Sequence, residues 1–155
     1  MKVCIIGAGA IGGFIGTRLA AAGAAHVSAV ARGDTLAALK AHGWRLQGAQ
    51  GLLRGPLAAA GRPEDLGVQD LVVIAVKATA LSSVAREIAP LLGPQTLVMP
   101  AMNGVPWWFC RGLPGLPATL ASIDPDGAVA AAIPYENVLG CVVHASTSVA
   151  EPGLV

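Results

Sequence analysis

The chain has 155 residues, 54% of them hydrophobic and only 12% charged, with a formal net charge of +1. That length makes one domain with a sizeable core, and a near-neutral balance excludes a general electrostatic attraction to nucleic acid or a membrane surface. So little charge suits a parallel sheet covered by helices on both faces, or a domain that hides one surface against something else.

The chain opens on an apolar run, Val3-Cys-Ile-Ile6, which reads as a fully buried parallel strand. It leads directly into Gly7-x-Gly9-x-x-Gly12, and a helix over Ile11 to Ala22 follows, which Gly23 can end. Each glycine has a mechanical task in such a strand–turn–helix unit. Gly7 allows the tight turn, Gly9 lets the backbone approach a pyrophosphate, and Gly12 lets the helix lie close on the sheet. The first N–H groups of the helix and its positive dipole end then face the phosphates. Glycine-rich turns are common, and it is the strand before and the helix after that give the spacing its meaning. The expected cofactor-binding stretch is therefore Gly7, Ala8, Gly9, Ala10, Ile11 and Gly12.

The second strand is read over His26 to Ala31 and ends at Arg32-Gly33-Asp34. An NAD-preferring site places an acidic residue about 20 residues after the glycines, to accept from the ribose 2′-hydroxyl. No Asp or Glu lies between Gly12 and Arg32. A guanidinium at that place pairs instead with a 2′-phosphate, so NADP is the expected cofactor; the plain alternative is a solvated arginine at a strand end.

Asp34 and Thr35 can cap a short helix over Leu36 to Ala41, stopped by Gly43. Trp44 to Leu57 alternates, with internal glycines, as in a hairpin or irregular strand pair, and Gly61-Arg-Pro-Glu-Asp65 reads as a surface turn. The next buried strand is Leu71 to Val76, ending at Lys77. A helix is predicted from about Ala78 to Leu92, terminated by Gly93-Pro94. A strand over Thr96 to Met99 ends in Pro100-Ala-Met-Asn103-Gly104, and a long Pro- and Gly-rich stretch from Pro106 to Tyr135 carries Trp107 and Trp108. A last strand is predicted over Val138 to Ala145.

Alternating strands and helices give an α/β fold, a Rossmann-type doubly wound and mainly parallel sheet with helices on both faces. Ligands of such sheets sit outside the carboxyl ends of the strands. The glycine turn, Arg32, Lys77 and Asn103 each fall at the end of a separate strand. Cys4, Cys110 and Cys141 lack metal-ligand spacing; Cys4 and Cys141 read as buried thiols in a reducing compartment, and a cytoplasmic protein is expected. The apolar N-terminus loosely mimics a signal peptide, but fingerprint glycines break it and no run reaches transmembrane length.

These residues together resemble the ketopantoate reductases (2-dehydropantoate 2-reductases). The matching pieces are Gly7-Ala-Gly-Ala-Ile-Gly-Gly13, Val30-Ala-Arg-Gly33, Asp70-Leu-Val-Val-Ile-Ala-Val-Lys-Ala78, Asn103-Gly-Val105 and Gly140-Cys-Val-Val-His-Ala-Ser146. The resemblance implies an NADPH-dependent reduction of a 2-keto acid. By position it assigns Arg32 to the 2′-phosphate, Lys77 to the cofactor, and Asn103 to both the nicotinamide side and the substrate. Ser146 falls near the nicotinamide end. Lys77 as a solvated charge, Asn103-Gly104 as an ordinary tight turn and His144 as a core histidine are the plain readings of the same positions.

Two departures from the family pattern stand out. The segment from Pro106 to Asn137 is longer than the usual connection, and either shapes the active site or packs as a surface insertion. The family's helical C-terminal domain, which supplies the lysine proton donor, is expected to be absent, since the sequence ends close to where it would begin. The whole of 1–155 is then an NADP-binding domain without a catalytic acid of its own; Asp124 and Asp126 lie in a loop. Its partners would be a small 2-keto acid and either a second copy or the helical domain. A regulatory dinucleotide-binding module without catalysis is the rival reading.

Overall fold

The strand Lys2–Ile6 (β1) sends Val3 and Ile5 into one apolar layer and Cys4 and Ile6 into the other, following the two-residue period of a strand. A strand buried on both faces belongs in mid-sheet. The computed structural model, which describes residues 1–117 and 119–155, places it there. On one side β1 pairs with β2 (His26–Val30), and β2 with β5 (Ala58–Ala60). On the other it pairs with β6 (Leu71–Ile74), and β6 with β7 (Leu97–Pro100). Every pairing is parallel and the order is β5-β2-β1-β6-β7. The chain therefore reverses direction across the sheet beside β1, which opens a crevice at the carboxyl ends of β1, β2 and β6.

Helices cover both faces, as the sequence predicts. On the Val3/Ile5 face lie α1 (Ala10–Ala21) and α2 (Gly33–His42); on the Cys4/Ile6 face lie α3 (Leu81–Glu87) and α4 (Ala128–Ala132). The predicted hairpin forms as β3 (Trp44–Gly48) and β4 (Gly51–Gly55), antiparallel and outside the main sheet. It docks on a bare stripe of α1. A Cβ at Gly16 would lie 2.5 Å from the Trp44 ring, and one at Gly55 2.6 Å from the Ala20 side chain.

Several expectations need correction. The strand predicted over Val138 to Ala145 does not form. Val138 makes one isolated bridge to Val98, and the Leu139 N–H donates to the Val98 carbonyl at 2.8 Å. The next rung of a parallel ladder would be donated by residue 100, which is a proline and has no N–H. The segment then runs on without a ladder. His144, a core histidine on the plain reading, is consequently exposed, and Cys141 is only half-buried; Cys4 and Cys110 are buried.

The helix predicted from Ala78 to Leu92 is broken. A 3-10 turn at Ala78–Ala80 precedes α3 and another at Ala89–Leu91 follows it. Pro90 explains the break, because its ring clashes with the carbonyl four residues back and it offers no donor. β5 is an unpredicted strand of three alanines, a sequence with no strand preference that is recruited by the open edge of β2. At α2 the capping position is Arg32, with no side-chain cap, and Asp34 stands in the first turn instead.

Candidate functional site

The turn from β1 into α1 is built as the glycine spacing requires. Gly7 has φ 91°, and a Cβ there would lie 2.7 Å from a Val76 methyl and 3.0 Å from the Ala75 carbonyl. Gly12 is closed off by the Gly7 carbonyl, Ile5 and Ala75. Gly9 differs from both: its φ is −81°, open to any residue, and a Cβ there meets nothing within 4 Å. Two of the glycines are therefore demanded by packing and one is not. No side chain caps α1 and its first turn holds no acidic residue. Its free N–H groups and dipole end are left for an external anion.

A cavity of about 320 Å³ opens there, lined among others by Gly7, Ala8, Gly9, Arg32, Thr35 and Glu87. It brings together the start of the fingerprint and Arg32, the group expected at a 2′-phosphate; Gly12 lies behind the turn. Glu87, the last residue of α3, is a lining residue that no sequence motif marks. Its Oε2 accepts from Arg32 Nη2 at 2.7 Å, with the two side chains 48% and 69% exposed respectively. An acid is thus present beside the arginine after all, supplied by another element across the crevice.

A second cavity of about 620 Å³ lies beyond the carboxyl end of β7, lined by Asn103, Gly104, Met102, Trp107, Trp108 and Ile123 among others. Lys77 is exposed and lines neither cavity, although its neighbour Val76 lines the first and Ala78 the second. It makes no ion pair among the described residues. Asn103 has a structural task. Its Nδ2 donates to the Val143 carbonyl at 3.1 Å and its Oδ1 accepts from the Val143 N–H at 2.9 Å. The amide thereby stands in for the ladder missing after Pro100. One N–H and one lone pair remain for a ligand. Ser146 is exposed in the same segment and borders neither cavity, whereas Val149 reaches the first.

The insertion turns out to be both packed and cavity-forming. Trp107, Val129 and Ile133 are core residues, Trp107 meets Trp108 edge-on at 4.4 Å, and both tryptophans line the second cavity. Its two aspartates are engaged. Asp124, 1% exposed, accepts from the Val129 N–H at 3.0 Å and the Ala130 N–H at 2.9 Å, which fixes the start of α4. Asp126 pairs with Arg86 at 3.4 Å. Among the described residues no cluster of His, Cys, Asp and Glu could hold a metal ion, and no helix is long and apolar enough to cross a membrane.

Residues 3–155 match the family model described as Ketopantoate reductase PanE/ApbA. The chain is 45% identical over 159 residues to a 2-dehydropantoate 2-reductase of Mesorhizobium japonicum, an alignment that takes in 100% of this chain and 48% of that protein. It also matches a crystal structure from Ralstonia solanacearum MolK2, provisionally assigned as a ketopantoate reductase, with a TM-score of 0.90 and 50% identity over 98% of this chain and 47% of the other. A PanE/ApbA family ketopantoate reductase from Ralstonia eutropha JMP134 matches with a TM-score of 0.77 and 30% identity over 99% of this chain and 45% of that one. The chain spans about half the length of the relatives it matches, and it belongs to the ketopantoate reductase family.

Proposed function

We propose that this member of the ketopantoate reductase family is the NADPH-binding part of a cytoplasmic enzyme that reduces a 2-keto acid, with 2-dehydropantoate the first substrate to test. The observation that carries the reading is the smaller cavity. There a glycine whose Cβ would meet no protein atom, an uncapped helix N-terminus and an arginine at the next strand end surround one space. That set fits a pyrophosphate on the α1 N–H groups with Gly9 bare beneath it, and a 2′-phosphate on Arg32.

When bound, the cofactor supplies a hydride for the carbonyl carbon. The rest falls to the protein. Gly7, Ala8, Gly9, Ala10, Ile11 and Gly12 hold the pyrophosphate half, and Arg32 anchors the far end. Lys77, exposed between Val76 and Ala78, would contact the cofactor where it passes from one cavity to the other. Asn103 lines the larger cavity with a free N–H to orient the nicotinamide side or the keto acid. The geometry adds nothing to the expectation for Ser146. Asp124 and Asp126 are both tied into the fold, and with Lys77 given to the cofactor this reading leaves the general acid to another segment.

Titrating this chain with NADPH, and separately assaying it alone with 2-dehydropantoate, tests both halves of the reading. Binding without turnover is expected, with turnover appearing only when a helical segment of the kind found in the family is supplied. Failure to bind either nicotinamide dinucleotide would remove the cofactor reading. Robust reduction by the chain alone would show that the proton donor lies within it.

A further inference from the structure

We infer that Glu87 is a cofactor-selecting residue, the acidic half of an Arg32–Glu87 pair that lets one adenosine subsite accept dinucleotides with or without a 2′-phosphate. The inference rests on the smaller cavity being the dinucleotide site. Arginine at the end of β2 and glutamate at the end of α3 are 55 residues apart, and folding sets them 2.7 Å from each other on the wall of that cavity. Two chemistries discriminate dinucleotides at this position: a carboxylate accepts from a ribose 2′-hydroxyl, and a guanidinium holds a 2′-phosphate. β2 itself ends in no acid, and α3 supplies one from the opposite wall.

The exposure of both side chains decides how the pair behaves. An ion pair open to water is held weakly, so a ligand can re-partner either member. A 2′-phosphate that takes Arg32 must lie beside the Glu87 carboxylate, a like charge that opposes it. A ribose with a free 2′-hydroxyl meets no such opposition, because the carboxylate can accept its proton in a hydrogen bond while Arg32 stays paired. Glu87 therefore holds NADPH affinity below what Arg32 alone would give and raises NADH affinity.

Glu87→Gln keeps the size and a hydrogen-bonding end while removing the charge. The measurements are dissociation constants of NADPH and NADH for the full chain by fluorescence titration. They are repeated with adenosine 2′,5′-bisphosphate and AMP by calorimetry, to confine the effect to the adenosine half. The variant is expected to bind NADPH about tenfold more tightly, a change of ~1.4 kcal/mol, and NADH a few-fold more weakly. Arg32→Ala should do the reverse and leave a site that prefers NADH. Melting temperatures close to wild type would show that both variants fold. An NADPH-to-NADH ratio in Glu87→Gln within about twofold of wild type, with both dinucleotides still bound, would overturn the inference while leaving the dinucleotide site intact. Wild-type protein that binds neither dinucleotide would overturn the site reading and this inference with it.

Discussion

Gly9→Val separates a binding turn from a structural one within a single motif. A valine at residue 9 has room, since nothing lies within 4 Å of a Cβ there and φ is −81°. Gly9 is the capping residue of α1, and a branched apolar residue caps less well than glycine by about 0.5–1 kcal/mol. At this chain length that lowers the melting temperature by roughly 1–4 °C. Affinity should fall far more, because two methyl groups would fill the space a pyrophosphate needs, and a loss of about 100-fold or greater is expected. Gly12→Val is the counterpart. There the new side chain meets the Gly7 carbonyl, Ile5 and Ala75. Backbone cannot yield as a flexible side chain can, so a destabilisation of about 1–3 kcal/mol or more is expected. Circular dichroism melts and NADPH titrations on both variants distinguish them. A folded Gly9→Val protein with wild-type NADPH affinity would refute the pyrophosphate placement.

Asp124→Ala should destabilise by about 1–3 kcal/mol, since it strips the acceptor from two N–H groups at the start of α4. NADPH affinity should stay unchanged, and a melt paired with a titration checks both. Burial pushes the Cys4 thiol up from 9.0 to about 11, outweighing the opposing hydrogen bonds of Ser28 and the Val30 backbone. The unfolded chain therefore loses this proton first, and the associated stability, complete below about pH 9, is lost as pH rises toward 11. Wild-type melting temperature should drop more steeply across that window than that of Cys4→Ala, and identical slopes would contradict the assignment.

The parts legible in the sequence were those encoded over short spans. The β1–glycine–α1 unit, the strand predicted over Leu71 to Val76 and the arginine after β2 each carry their signal within a few residues; the structure forms all three, with that strand ending two residues early, at Ile74. What escaped depends on partners far apart. Pro100 ends the 138–145 strand only because its missing N–H faces Leu139, a fact of pairing rather than of local propensity. Ala58–Ala60 becomes strand because β2 has an open edge. Pro90 was readable and outweighed by the helical period around it. Glu87 carries no local signal, because it lies 55 residues from Arg32 and at the end of a helix whose pattern encodes only its apolar face.

The two cavities also imply a division of labour. The larger one is walled by Met102, Trp107, Trp108, Ile123 and their neighbours, with no charged side chain among the described lining residues. Reduction of a carbonyl builds negative charge on oxygen, and that charge needs a donor and then a proton. Asn103 can donate the N–H that Val143 leaves free, but an amide cannot give up a proton at neutral pH. Lys77 lines neither cavity itself, although its chain neighbours Val76 and Ala78 line one each. The proposed reading gives Lys77 to the cofactor and takes the proton for the developing alkoxide from a group outside this chain. An apolar wall favours that arrangement, because a low-dielectric surround strengthens any single charge brought against the reacting oxygen. On the proposed reading, the neutral lining of this cavity and the engagement of Asp124 and Asp126 both fit a half-site that would position a carbonyl and take its proton from a partner segment.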